Sequence, residues 1–437
     1  MSLAPLRVSA PAVRREADPA LASPRSMGLR WVMAAEMFAS ALGFGVMVQM
    51  ARRLGPESFA RVEYASAVAA WLLVIVRGGV DVIVAREAAR RPRLIAPLTD
   101  ALIGLRCLAA LLGYLIVLVF AAIAGQGRGT ALAMVGLMLF PSAWVADVGL
   151  RALGHLRLVA LAQAVRVTGY AAAVACLVRG PGDTLAAACC MVAAEVFGSL
   201  VPLAWHARQY GFPHPRFRRR AWTILAHRGA IAGLIRFGRV TLYGADLLAL
   251  GWWAGAELGP YAAGRRIVFG LVGLGLVIPA SLAPAIARRW ACGSELAREL
   301  VEDAIAKVWA FSIPAAAALM LTAGYWMPLI FGDGYREGGP YLALIAARLP
   351  FLLTASLIQS AIVSCRRETW VLDQMIGLLV LAIVFVPLAV AWGGPWGVGW
   401  VSLILEVIAA LGSYRMLGCL GLSPRWKEWQ GRREVAR

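Results

Sequence analysis

The chain has 437 residues, of which 61% are hydrophobic and only 15% charged, and its mean hydropathy is +0.73. Soluble globular chains carry about 25% charged residues, and a soluble multidomain enzyme of this length would need long polar stretches, which occur here only at the two termini and around 206–228. The formal charge of +19 is almost entirely arginine, since Lys307 and Lys427 are the only lysines, so the position of the arginines decides between a nucleic-acid partner and a membrane.

Residues 1–28 are rich in Ala, Pro and Arg and have no apolar core, which excludes a secretory signal and predicts a disordered cytoplasmic tail. Apolar runs long enough to cross a bilayer then recur with short polar breaks. They fall at 29–51, 62–85, 98–124, 130–150, 158–178 and 184–205. After the basic segment 206–229 they resume at 230–254, 261–286, 306–328, 341–364, 370–391 and 396–420. The expected fold is an all-α integral membrane protein of about twelve transmembrane helices. The expected parts are a six-helix lobe over 29–205, a basic cytoplasmic linker over 206–229, a second six-helix lobe over 230–420 and a cytoplasmic tail over 421–437.

With the N-terminus inside, 29 Lys and Arg residues fall on the cytoplasmic side and eight outside. The eight include Arg52, Arg53, Arg265 and Arg266. Positive residues are retained on the cytoplasmic side of membranes, so this bias predicts both termini inside and explains the net charge without nucleic acid. The linker cluster Arg216, Arg218, Arg219 and Arg220 is expected to meet anionic headgroups. Seven cysteines without C-x-x-C spacing and four scattered histidines leave no metal or redox motif, and no cofactor is expected.

Two short matches relate the halves. Leu54-Gly55-Pro56 after the first span parallels Leu258-Gly259-Pro260 after the seventh, at an offset of 204 residues. Arg157 and Gln163 parallel Arg367 and Gln374 at about the same offset. Two homologous lobes of even helix number share one topology and place a transport site between them.

Several segments carry a family resemblance. Arg52-Arg53-Leu54-Gly55-Pro56-Glu57-Ser58-Phe59 resembles the opening signature of polysaccharide export proteins. So do Asp246 followed by Gly255-Ala256-Glu257-Leu258-Gly259-Pro260-Tyr261-Ala262-Ala263, and Phe331-Gly332-Asp333-Gly334-Tyr335. Over roughly 29–420 the chain resembles the polysaccharide-transporter branch of the multidrug/oligosaccharidyl-lipid/polysaccharide flippase superfamily. The resemblance implies a V-shaped, two-lobed flippase working by alternating access in the bacterial inner membrane. The implied cargo is an undecaprenyl-pyrophosphate-linked oligosaccharide, and proteins of polysaccharide assembly are the further partners.

Six arginines lie inside spans: Arg77, Arg106, Arg166, Arg236, Arg239 and Arg348. Each costs about 2.5–3.5 kcal/mol at mid-helix on insertion scales, so a hydrated cavity or an acidic partner is required. Arg77 and Asp81 have the four-residue spacing of a local pair. Arg236, Arg239, Tyr243 and Asp246 are spaced three, four and three, which puts them on one stripe of a helix and predicts a wet cavity beside it. Gln163, Arg166 and Tyr170, and likewise Glu36 and Ser40, repeat that pattern. Guanidinium suits phosphate oxygens by fixed charge and forked geometry. The candidate substrate-binding set is therefore Arg77, Arg106, Arg166, Arg236, Arg239, Tyr243 and Asp246. A multidrug and toxin extrusion-type cation exporter is the main alternative, disfavoured by arginine where acidic walls are needed. A membrane polymerase or ligase of lipid-linked sugars is disfavoured by outer loops of at most a dozen residues.

Overall fold

A computed structural model describes residues 23–125, 127–216, 219–253 and 257–423. The regular elements among them are all helical. In chain order they are α1 (Ser23–Arg77), α2 (Val80–Arg90), α3 (Ile95–Ala124), α4 (Arg128–Gly136), α5 (Leu139–Ala143), α6 (Val148–Ala152), α7 (Leu156–Leu177) and α8 (Thr184–Tyr210). After the connection come α9 (Arg219–Trp253), α10 (Leu258–Gly275), α11 (Val277–Cys292), α12 (Ser294–Phe331), α13 (Gly339–Ala346), α14 (Leu349–Ser364) and α15 (Glu368–Cys419). The expected tails fall outside the described residues up to 22 and from 424, and α1 starts at Ser23, ahead of the expected 29.

Among the described residues, seven helices are long and apolar enough to cross a membrane, or up to eight if α13 and α14 form one bent span. Two of the seven, in α1 and α15, have 41 and 52 residues, enough for two crossings at about 20 residues each. α1 is broken at Gly55 (φ 74°, ψ 170°) and α15 at Gly394 (φ 52°, ψ −135°). Each glycine precedes a proline, Pro56 or Pro395. Proline removes a backbone donor and disfavours helical geometry in the residue before it, and glycine accepts the left-handed conformation without a Cβ clash. The arms on either side of each break coincide with separate apolar runs of the sequence.

Lipid-facing character is direct on α3, where Leu111, Leu112, Leu115, Val119 and Ile123 are exposed, and on α12 and α15, where Leu321 and Ile383 are. Such a band suits hydrocarbon rather than water, and the protein is a multi-pass membrane protein. Trp252, Trp326 and Trp392 are also exposed near the ends of α9 and α12 and the break of α15, where amphipathic rings suit an interface.

The break at Gly55 organises one end of the bundle. Arg52 donates to the Leu329 and Ile330 carbonyls at 2.5 and 2.6 Å, at the C-terminus of α12. Arg53 donates to Val178 O at 2.6 Å and Ala175 O at 3.0 Å, at the C-terminus of α7. Helix C-termini leave carbonyls unpaired and carry partial negative charge, so two adjacent arginines tie together helices from before and after the connection. Tyr335 adds a hydrogen bond from its hydroxyl to Ala51 O at 2.9 Å. The two Leu-Gly-Pro copies also meet here: a Cβ on Gly259 would lie 2.2 Å from Pro56 O.

At the other end, residues 211–218 connect α8 to α9. This connection is shorter than the expected linker because both flanking helices extend into it. Arg216 is partly engaged within the protein and stays half-exposed. Its side chain pairs with Asp100 of α3 at 3.3 Å, and its N–H donates to Asp100 O at 3.2 Å. Arg218 lies outside the described residues, as do the side chains of Arg219 and Arg220.

Glycine also allows the closest approach at this end, where a Cβ on Gly79 would lie 2.6 Å from Gly233 N. One contiguous apolar core runs between the two ends and includes Met50, Leu54, Phe59, Leu250, Tyr261, Val268 and Phe331. Replacing Gly259 with alanine is expected to lower the unfolding temperature in detergent, as overpacking costs about 1–3 kcal/mol. Gly377→Ala, with open space around its Cβ, is the control and should leave the temperature unchanged or slightly raised.

Candidate functional site

The intramembrane charges sort into three ion-pair clusters, a separate Arg106–Asp81 pair and two arginine-lined cavities. In the first cluster Glu195 of α8 accepts from two guanidiniums. Arg77 Nη2 meets Oε2 at 2.8 Å and Arg166 Nη1 meets Oε1 at 2.7 Å. The carboxylate side chain is only 6% exposed, Arg77 is 30% and Arg166 39%. Close approach of α7 and α8 makes this possible, since the Arg166 stem passes over Gly198, where a Cβ would lie 2.8 Å from Cδ.

Arg77 does not pair with Asp81, contrary to the four-residue spacing. Gly78 and Gly79 have φ of 51° and 64°, so the helix is broken between the two residues and the spacing rule for a continuous helix fails. Asp81 instead accepts from Arg106, which also donates to Val145 O at 2.8 Å. Arg106 is 2% exposed and lines no cavity described here. The structure separates it from the other candidates.

The second cluster crosses the chain. Glu63 of α1 is fully buried and accepts both Nε and Nη2 of Arg266 of α10 at 2.9 Å. The third centres on Asp246 of α9, which is also fully buried. It accepts from Arg348 Nη1 at 3.1 Å and Tyr261 OH at 3.1 Å, and pairs with Arg265 at 3.3 Å. Arg348 reaches on to Glu406 at 3.5 Å. Arg265 also donates to the Tyr243 carbonyl and stacks 4.2 Å over Phe269. Asp246 is therefore a closed node in this structure, paired on every side and lining neither cavity.

The stripe on α9 is thus only partly wet. Arg236 and Arg239 line a cavity of about 570 Å³ with Gln359, Ser360 and Glu368, toward the connection end. Arg239 donates to Gln359 Oε1 at 3.2 Å, and Tyr243 shares a hydrogen bond with Ser356 at 3.2 Å. One turn further, Arg239, Tyr243, Arg348 and Glu406 enclose about 20 Å³, room for about one water. The helix goes from cavity wall to polar helix contact along its length.

A separate cavity of about 380 Å³ lies between α1, α7, α8 and α10. Its polar wall is Ser40, Gln163, Arg166, Tyr170, Glu195 and Arg266. The expected repeat of Gln163, Arg166 and Tyr170 on one helix face holds; the side chain of Glu36 lies outside the described residues. The seven candidates do not form one site. Arg166 faces this cavity with Arg77 behind it through Glu195, while Arg236 and Arg239 face the other.

Glu63, Arg265 and Arg266 were not among the sequence candidates. The sequence pattern places the two arginines on the outer side, yet α10 begins at Leu258 and puts both inside the helix. The available signal was that both fall within the apolar run 261–286. Replacing Asp246 with Asn would leave Arg265 without its carboxylate in a buried setting, where breaking such a pair costs about 3–5 kcal/mol. A marked fall in unfolding temperature is expected, against no change for Asp333→Asn at an 89% exposed carboxylate.

Known proteins place this architecture. A family profile described as polysaccharide biosynthesis protein matches residues 27–290. No curated protein matches the chain in sequence. Among solved structures, an inward-facing multidrug resistance MATE family transporter of the MOP superfamily is similar, with TM-score 0.66, 15% identity, and 88% and 95% of the two chains covered. The lipid II flippase MurJ in an inward closed conformation has TM-score 0.67, 13% identity, and 90% and 88% covered. A MOP superfamily transporter from Pyrococcus furiosus, described by the reverse polarity of its binding pocket, has TM-score 0.57, 13% identity, and 91% and 97% covered. At these identities the likeness is one of fold.

Proposed function

The chain belongs to the polysaccharide biosynthesis protein family, and we propose that it flips an undecaprenyl-pyrophosphate-linked oligosaccharide across a bacterial inner membrane by alternating access. The direction is from the cytoplasmic to the periplasmic leaflet, with both termini cytoplasmic. The observation that carries this reading is the cavity walled by Arg166 and Arg266, on helices before and after the connection. A guanidinium that remains 39% exposed inside an apolar bundle has donors available to an anion. In a low dielectric a charge-assisted, forked contact to phosphate is worth more than in water. Arg236 and Arg239 line the second cavity, near the connection, and are suited to a first encounter with the headgroup.

The same cavity bears on the cation-exporter alternative. Its carboxylate, Glu195, is shared by two guanidiniums, so the cluster of Arg77, Arg166 and Glu195 is net positive. A lipophilic cation would meet repulsion there. The reading as a non-enzymatic transporter also agrees with the transporter fold of the similar structures.

Arg166→Ala, Arg236→Ala and Arg239→Ala, each expressed in a deletion strain at matched protein level, test the assignment through polymer export. Arg166→Ala is expected to lower export about ten- to hundredfold, as loss of a contact worth ~1.5–3 kcal/mol implies. Wild-type export by all three variants would sink it.

A further inference from the structure

We infer that Glu195 is an internal counter-anion that competes with the cargo's phosphates for Arg166, and that Arg77 is a positioning residue that holds back part of Glu195's charge. This rests on the diphosphate reading above and adds how the cavity releases what it binds.

The geometry is a three-body bridge. Each Glu195 oxygen is taken by a different arginine, at 2.8 Å for Arg77 and 2.7 Å for Arg166. Arg166 and Glu195 line the cavity, whereas Arg77 does not. Of the Arg166 donors only Nη1 is engaged with Glu195, and the side chain lines the cavity 39% exposed, so donors remain for an entering anion. If Arg77 were absent, Glu195 would neutralise Arg166 alone. With Arg77 in place the cluster carries one net positive charge, and Arg166 keeps an unmet share of it.

The neighbouring charges do not undo this balance. Arg106 and Asp147 act on Arg77 with opposite sign, and each has its own partner, Asp81 or Arg151. Arg266 lines the same cavity but is held in a two-pronged pair by Glu63. Tyr170 also faces the cavity and is uncharged. Glu195 is thus the anion in the cavity wall best placed to return to Arg166 as cargo leaves. A transporter needs that competition, because an anion bound by an uncompensated guanidinium pair in a low dielectric is held too tightly to turn over.

Net charge predicts an ordering that ordinary structural damage does not. The Arg77, Arg166 and Glu195 cluster is +1 in the wild type, +2 in Glu195→Gln, 0 in Arg77→Gln and +1 in the double variant. The experiment titrates farnesyl diphosphate into the purified full chain by calorimetry at fixed ionic strength, with unfolding temperature read in parallel and Arg77→Lys as the charge-conserving control.

Glu195→Gln is expected to bind about tenfold tighter, chiefly through slower dissociation, and Arg77→Gln about tenfold weaker. Arg77→Lys and the double variant should return toward wild type. Weakening in every variant, or affinity unchanged in Glu195→Gln, overturns the inference while leaving the cargo reading standing. No binding of farnesyl diphosphate by the wild type overturns both.

Discussion

A guanidinium inside an apolar bundle must find a negative partner, and this constraint shapes the interior of the protein. Transfer of an unpaired charge into low dielectric costs several kcal/mol even after relaxation, so the arginines select which helices lie side by side. Glu195 draws α1 and α7 onto α8. Asp246 joins α9 to α10 and, through Arg348, to α15. Glu63 and Arg266 join α1 to α10 across the chain's two halves. The same constraint sets some arginines apart, because one that is buried against a carboxylate and a carbonyl, such as Arg106 at 2% exposure, offers no open donor to a cavity.

Backbone polarity acts alongside charge. In lipid each N–H and C=O must be satisfied within the protein, and helix ends and breaks are where that fails. At one end Arg52 and Arg53 satisfy the terminal carbonyls of α12 and α7. Glycine handles the remaining close contacts, at Gly259 against Pro56 and at Gly79 against Gly233. The two ends of the bundle are therefore held by separate contacts: charged caps and the Gly259–Pro56 approach at one, the Gly79–Gly233 approach and the Arg216–Asp100 pair at the other. Two ends that close by separate, independent contacts suit a molecule that opens them in turn.

The polar interior is consequently divided. One cavity lies where helices from before and after the connection meet and presents Arg166; another, nearer the connection, presents Arg236 and Arg239. Between them the lower stripe of α9 is sealed by Arg265, Arg348 and Tyr261. The arginines that line cavities thus fall in two places rather than one cluster, and Glu195 bridges Arg77 and Arg166 at one of them.

Hydropathy alone determined that the chain is a multi-pass all-helical membrane protein, because about 20 apolar residues per crossing is a requirement of lipid thickness that needs no knowledge of neighbours. Local chemistry also marked Gly55-Pro56 as a boundary and identified Arg166 as a residue needing a partner or water. Pairing was not legible. The four-residue rule joined Arg77 to Asp81, but two left-handed glycines between them cut the helix, and partners 118 and 25 residues away took their place. Spacing put Asp246 on a wet stripe, yet Arg265 and Arg348, from α10 and the bend between α13 and α14, closed over it. Which charges remain available to a cargo depends on which helices meet, and only the tertiary structure decided that.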